Sequence, residues 1–193
     1  MLIQQVFGTI GILLAAASGV VYIASILNGK TQPHLFTRLI FGIVETIAFF
    51  GQVVSGGGVG AWVTGASALF SVGIIILCFK YGTKNVTFSD RIFLALALVC
   101  IAVWIIVKDP FWSVLLATGI DFAAIIPTYR KTWSAPGSES LSSWILGTLK
   151  FVFSILGLST FSFVTVIYPT EVVVVNCVLI GIILYRKDLR THA

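Results

Sequence analysis

Charge is what this chain has least of. Only 10% of its 193 residues are Asp, Glu, Lys or Arg, while 58% are hydrophobic. With a mean hydropathy of +1.07, no soluble domain of this length hides that much apolar surface, so lipid must be the solvent. Cysteine is scarce too. Cys78, Cys100 and Cys177 all lie in apolar stretches, without metal-ligand spacing or an extracellular setting, and read as buried free thiols. The two histidines, His34 and His192, stand apart from the acidic residues. With no nucleophile motif and no metal-ligand cluster, the chain is not read as an enzyme, and no cofactor or metal is expected. No basic region precedes the first apolar stretch, so it is read as the first span and not as a cleaved signal. No nucleic-acid motif accompanies the net charge of +5, so nucleic acid is not an expected partner.

What is present is a series of apolar stretches, at about 6–27, 39–54, 61–79, 92–107, 112–127, 144–161 and 171–185. The runs are continuous and do not alternate, which favours helices over a barrel. Several fall short of the roughly 20 residues a helical crossing needs, so their ends must recruit flanking residues. The expected fold is an all-α integral membrane protein with seven transmembrane helices. Basic residues occupy alternate loops: Lys30 and Arg38; Lys80, Lys84 and Arg91; Arg130 and Lys131; Arg186, Lys187 and Arg190. Only Lys108 falls on the other side. The positive-inside rule then places the N-terminus outside and the C-terminus in the cytoplasm, in a plasma (inner) membrane.

Two charges interrupt the apolar spans at matching places. Glu45 follows Gly42 by three residues, Lys150 follows Gly147 by three, and a constant offset of 105 aligns the two segments without gaps. The stretch 92–107 carries nothing more polar than Cys100 and Trp104, as a lipid-facing connector would. The expected organisation is a three-helix repeat over 1–88, a linker helix over 89–109, and a second three-helix repeat over 110–193. An odd connector makes the repeats parallel, related by an axis along the membrane normal.

Polar residues at helical spacing define inward faces: Arg38, Glu45 and Gln52; Ser143, Gly147, Lys150, Ser154 and Gly157; Ser18, Tyr22 and Ser25; Thr64, Ser67 and Ser71; Thr118 and Asp121; and Asn176. A charge at the bilayer centre costs roughly 3 kcal/mol, so Glu45, Lys150 and Asp121 are expected to face a partner or a wet cavity. The expected solute-binding residues are Glu45, Lys150, Asp121, Asn176, Gln52, Tyr22, Thr64, Ser67, Ser154 and Trp62, with Tyr22 and Trp62 able to stack on a ring. In one mechanism Glu45 and Lys150 pair when the cavity is empty and a polar or zwitterionic solute replaces that pairing. In the other, Glu45 or Asp121 exchanges a proton. The first is preferred, because a nearby cation favours an ionised carboxylate. Trp104, Trp112, Trp133 and Trp144 read as an interfacial belt.

The segment Ile126-Pro127-Thr128-Tyr129-Arg130-Lys131-Thr132-Trp133-Ser134, followed by Ser140-Leu141-Ser142-Ser143-Trp144, looks like the PQ-loop motif. Tyr22-Ile23-Ala24-Ser25, Gly29-Lys30 and Phe36-Thr37-Arg38 echo it more faintly. The whole chain resembles the SWEET and PQ-loop superfamily, which includes sugar facilitators, bacterial nicotinamide riboside transporters and luminal-retrieval receptors. That resemblance implies a small polar solute bound between two three-helix units that rock to open alternately. Asn176 is similar in position to the asparagine that sugar-transporting members place at the substrate. Pro127, with Gly42 and Gly147, would serve as hinge or packing positions. The expected function is facilitative transport of a sugar, a nucleoside-like vitamin or a zwitterion, with the bilayer as partner and a homo-oligomer allowed. A non-transporting receptor or sorting protein of the same fold, or a subunit of a membrane complex, is the alternative.

Overall fold

The computed structural model describes residues 2–82, 88–107 and 109–191. Lys84, Lys108 and His192, and the side chains of Cys100, Trp104, Pro127 and Arg190, lie outside the described residues. Helices α1 (Leu2–Leu27), α2 (Leu35–Val54), α3 (Val59–Tyr81), α4 (Phe88–Val107), α5 (Pro110–Ala124), α6 (Ile126–Ser134), α7 (Leu141–Leu156) and α8 (Phe163–Thr191) account for it, with a short 3-10 turn at Pro136–Ser138 before α7. Among the described residues there is no strand. Five helical segments are long and apolar enough to cross a membrane: Leu2–Leu27, Leu35–Val54, Val59–Tyr81, Pro110–Ser134 and Phe163–Lys187. Leu94–Val107 and Leu141–Leu156 are apolar but shorter. The chain is an all-α integral membrane protein.

Local sequence explains the breaks. Between α2 and α3, Gly56 and Gly58 have φ of 77° and 63°, a region closed to most side chains by their Cβ. Asp109 caps α5 by accepting from the Phe111 amide, with Pro110 at the first helical position, where its missing N–H costs nothing. The α5–α6 break falls at Ile125, two residues before Pro127. Proline supplies no amide to the preceding turn, so a helix bends or stops there. Pro127 thus follows the break closely.

The second-half boundaries differ from the sequence expectation. The α7 helix ends at Leu156, and α8 begins at Phe163, eight residues ahead of 171. Ser162 and Thr165 cap α8 reciprocally, each amide donating to the other's hydroxyl, which starts the helix before the apolar run. Pro169 then sits inside α8 and cannot bond the Thr165 carbonyl. Gln52 Nε2 donates to that carbonyl instead, at 3.1 Å.

The packing pairs the two halves in matching fashion. Helix α3 lies against α1 and α2, and α8 lies against α5 and α7. Between the halves, α1 packs on α7 as α2 packs on α5, and α3 on α7 as α8 on α2. Helix α4 rests on α5 and α2. A buried apolar cluster sits here, built from Ile40, Val44 and Ile47 of α2, Ala97 of α4, Val114 and Ala117 of α5, Phe151 of α7, and Tyr168 and Val172 of α8. The α1–α7 seam depends on glycine. A Cβ on Gly157 would come within 2.6 Å of the Gly8 nitrogen, and one on Gly11 within 3.3 Å of the Lys150 carbonyl. Small residues permit such close approach of helices, as is common in membranes.

Candidate functional site

A cavity of about 100 Å³ lies between the halves, and α1, α2, α3, α5, α7 and α8 all contribute side chains to it. Helix α4 contributes none among the described residues. Four ionisable groups of balanced sign face the cavity: Arg38 and Glu45 from α2, Asp121 from α5, and Lys150 from α7.

Glu45 is 8% exposed and accepts a hydrogen bond from the Ser71 hydroxyl of α3. Lys150 sits 105 residues on in α7, and Asn176 sits 105 residues on from Ser71 in α8. The acid–hydroxyl pair of one half is thus matched in position by a lysine and an asparagine in the other. Among the described residues no ion pair joins Glu45 to Lys150. The Lys150 ammonium stands 4.8 Å from the Phe151 ring centroid, within range of a cation–π contact. Both charges therefore face the shared space, and among the described residues no carboxylate lies within ion-pair distance of Lys150.

Asp121 is 4% exposed, and its Oδ1 has no hydrogen-bond partner. Its other neighbour is Glu171 of α8, which lies within hydrogen-bonding reach and has neither carboxylate oxygen partnered. Two ionised carboxylates cannot donate to one another, so this contact is short of a proton or a cation. Glu171 also borders an apolar groove of about 890 Å³ between α5 and α8, open to the outside of the helix bundle. Asp121 thus sits between the central cavity and that groove.

Hydrogen bonds cross between the halves at both ends of the cavity. At the end carrying Gly56–Gly58, four hydrogen bonds cross between the halves: Gly60 N–H to the Gly157 carbonyl at 3.0 Å, Ser159 N–H to the Gly57 carbonyl at 3.1 Å, Ser154 Oγ to the Gly60 carbonyl at 2.9 Å, and Gln52 to Thr165. At the opposite end Ser18 and Ser143 each donate to the other's carbonyl, at 3.2 and 3.3 Å. Below them Arg38 lies 4.1 Å over the Tyr22 ring. Glu139, 6% exposed, pairs with Lys131 and accepts from Trp144 Nε1 at 3.0 Å. Tyr22, Arg38 and Trp144 separate the main cavity from a smaller one of about 20 Å³ beside His34, Lys131 and Glu139.

Seven of the expected residues line the cavity: Glu45, Lys150, Asp121, Asn176, Tyr22, Ser67 and Gly147. Gln52 and Ser154 are fully buried but serve as donors to backbone carbonyls at the glycine-turn end. Thr64 is buried outside the cavity with its hydroxyl unpartnered. Trp62 is 57% exposed and packs edge-on against Phe49 at 5.1 Å, so it cannot stack on a solute. Gly42 packs against α3, where a Cβ would meet Ile75 at 3.1 Å, whereas Gly147 leaves room beside Asn176.

Other expectations also shift. Trp144 lines the cavity, while Trp112 and Trp133 are half-exposed. Cys78 is buried but Cys177 is exposed on α8. Glu139, Tyr168 and Glu171 escaped sequence reasoning. Glu139 looks like an ordinary loop acid, and only the fold of the 3-10 turn carries it inward. For Glu171 a signal existed, since the Ser162-x-x-Thr165 cap moves the helix start back and places this acid inside the span. Compared with known proteins, the chain matches no family model, no curated sequence and no solved structure.

Proposed function

We propose that this protein is a carrier that moves a small polar solute across the membrane by alternating access at the central cavity. The observation that carries this reading is the convergence of six helices from both halves on one charged cavity. A purely structural ion pair would bring Glu45 and Lys150 into contact; here they share a cavity instead. In this reading the chain has seven spans, with α5 and α6 forming one bent span, and two parallel three-helix units joined by α4. The matching contacts of the two halves support it, as do small-solute carriers built from parallel repeats. The N-terminus lies outside and the C-terminus in the cytoplasm, following the basic loops. The resemblance to the SWEET and PQ-loop superfamily agrees.

Rocking of the two units opens one end while the other stays shut. The glycine-turn end is closed by backbone-anchored hydrogen bonds and tight glycine packing, the basic end mostly by side chains, so the basic end is the easier to open from this state. The test is counterflow in vesicles reconstituted with the purified protein, with sugars, nucleosides, vitamins and amino acids as probes. Saturable flux of one class supports the carrier. Saturable binding with no flux of the bound compound would assign a receptor of the same architecture.

A further inference from the structure

We infer that the solute is a small zwitterion of α-amino-acid size, held with its carboxylate toward Lys150 and Asn176 and its ammonium toward Glu45 and Asp121. The inference rests on the ligand-binding reading of the cavity above and adds the chemical class.

Charge balance is the first argument. Arg38 and Lys150 face Glu45 and Asp121 across the cavity, so the lining is neutral as a whole but polarised locally. An anion or a cation alone would leave one uncompensated charge in a low-dielectric space, where that is costly. A zwitterion adds none and reaches both poles. Lys150 has no carboxylate partner among the described residues, and its ammonium is the donor a carboxylate needs. Asn176, 4% exposed, comes from α8 beside it.

The unpartnered Asp121 is the second argument. Its Oδ1 is buried without a donor, and a buried acceptor left so is expensive. The carboxylate of Glu45 takes only the Ser71 hydroxyl and has capacity for further donors. An ammonium supplies three. Among the described residues only the Glu171 carboxyl lies within reach of the Asp121 carboxylate, and it donates only when protonated.

Size is the third. A cavity of about 150 Å³ accommodates benzene, and this one is about 100 Å³. A hexose has roughly twice the heavy atoms of that ring and does not fit the closed form, nor does a nucleoside. Glycine and alanine, with five and six heavy atoms, come nearest to this space. Gly147 contributes to the space, because a Cβ there would approach Asn176 Nδ2 to 3.5 Å without a clash.

Equilibrium binding to the purified protein, read by thermal stabilisation, tests this with glycine and L-alanine as zwitterions, acetate and ethylamine as their separate halves, and glucose as a neutral polyol. The expected result is saturable stabilisation by a zwitterion, with neither half nor glucose acting at the same concentration. Glu45→Gln and Lys150→Met each weaken zwitterion binding about tenfold or more, the loss of one charged hydrogen bond, while Lys150→Arg retains it. Gly147→Ala, which the packing admits, weakens alanine more than glycine. Silence of both zwitterions, or equal binding of acetate, ethylamine or glucose, overturns the inference whatever the variants do. Counterflow with the same probes separates it from the carrier reading. Zwitterion binding without flux leaves the ligand class standing and removes the carrier, and glucose flux without zwitterion binding does the reverse.

Discussion

Gln52 of α2 donates to the carbonyl of Thr165 in α8, the carbonyl that Pro169 leaves without its helical amide. A glutamine in one half thus completes the backbone of a helix in the other. Gln52→Leu should cost about 1 kcal/mol, since it orphans a buried carbonyl in lipid. In Pro169→Ala the amide returns, and the same Gln52→Leu change should then cost much less. Thermal unfolding of the four proteins in this cycle measures the coupling; additive costs would show the two residues to be independent.

The contact between Asp121 and Glu171 holds two acids with no cation or donor among the described residues. Glu171→Gln replaces one carboxylate with an amide that donates to Asp121. The expected outcome is a melting temperature that falls less than the parent's as pH rises, because an amide donates to Asp121 without needing a shared proton. A lowered melting temperature would show that Glu171 has a partner the present arrangement does not reveal.

Glycine is needed at the α1–α7 seam but not along the exposed face of α8. Gly157→Ala places a Cβ 2.6 Å from the Gly8 backbone and must push the helices apart, at about 1–3 kcal/mol. Gly181→Ala meets nothing within 4 Å in α8 and should gain up to about 1 kcal/mol from helix propensity. Equal effects of the two substitutions on thermal stability would contradict the seam.

Glu139 ties Lys131 and Trp144 together at the basic end. Glu139→Ala leaves the Trp144 N–H without its acceptor and should lower stability by about 2 kcal/mol. If the basic end is the gate, the same variant also leaves more of the protein open there. A cysteine placed at Ser143 should then label faster with a water-soluble maleimide; unchanged labelling would place the gate elsewhere.

Trp62 faces away from the cavity. Trp62→Leu should leave the binding of any cavity ligand unchanged, measured by the same thermal shift, whereas Phe substitution of cavity-lining Tyr22 removes the hydroxyl under Arg38 and should change it. A large binding loss in Trp62→Leu would relocate the site.

The amino-acid order alone determined the solvent, the helical class and the charged centre. Those follow from quantities that need no partner: hydropathy summed along the chain, the cost of a charge in lipid, and the period of a helix. The offset that matches Glu45 with Lys150 was legible for the same reason. Which polar residues face the cavity was not. Gln52 and Ser154 share helical faces with Glu45 and Lys150 yet spend their donors on backbone carbonyls, and only the neighbouring helix ends at Gly60 and Thr165 decide that. Trp62 lies near Thr64 and Ser67 in sequence but turns outward, because rotation of a helix against its neighbours is set by packing. Glu139 and Glu171 gained their importance from a 3-10 turn and an early helix start, features held by capping hydrogen bonds rather than by apolar periodicity. The tertiary structure alone decided which charges stand without a partner, since that depends on distances between helices far apart in the chain.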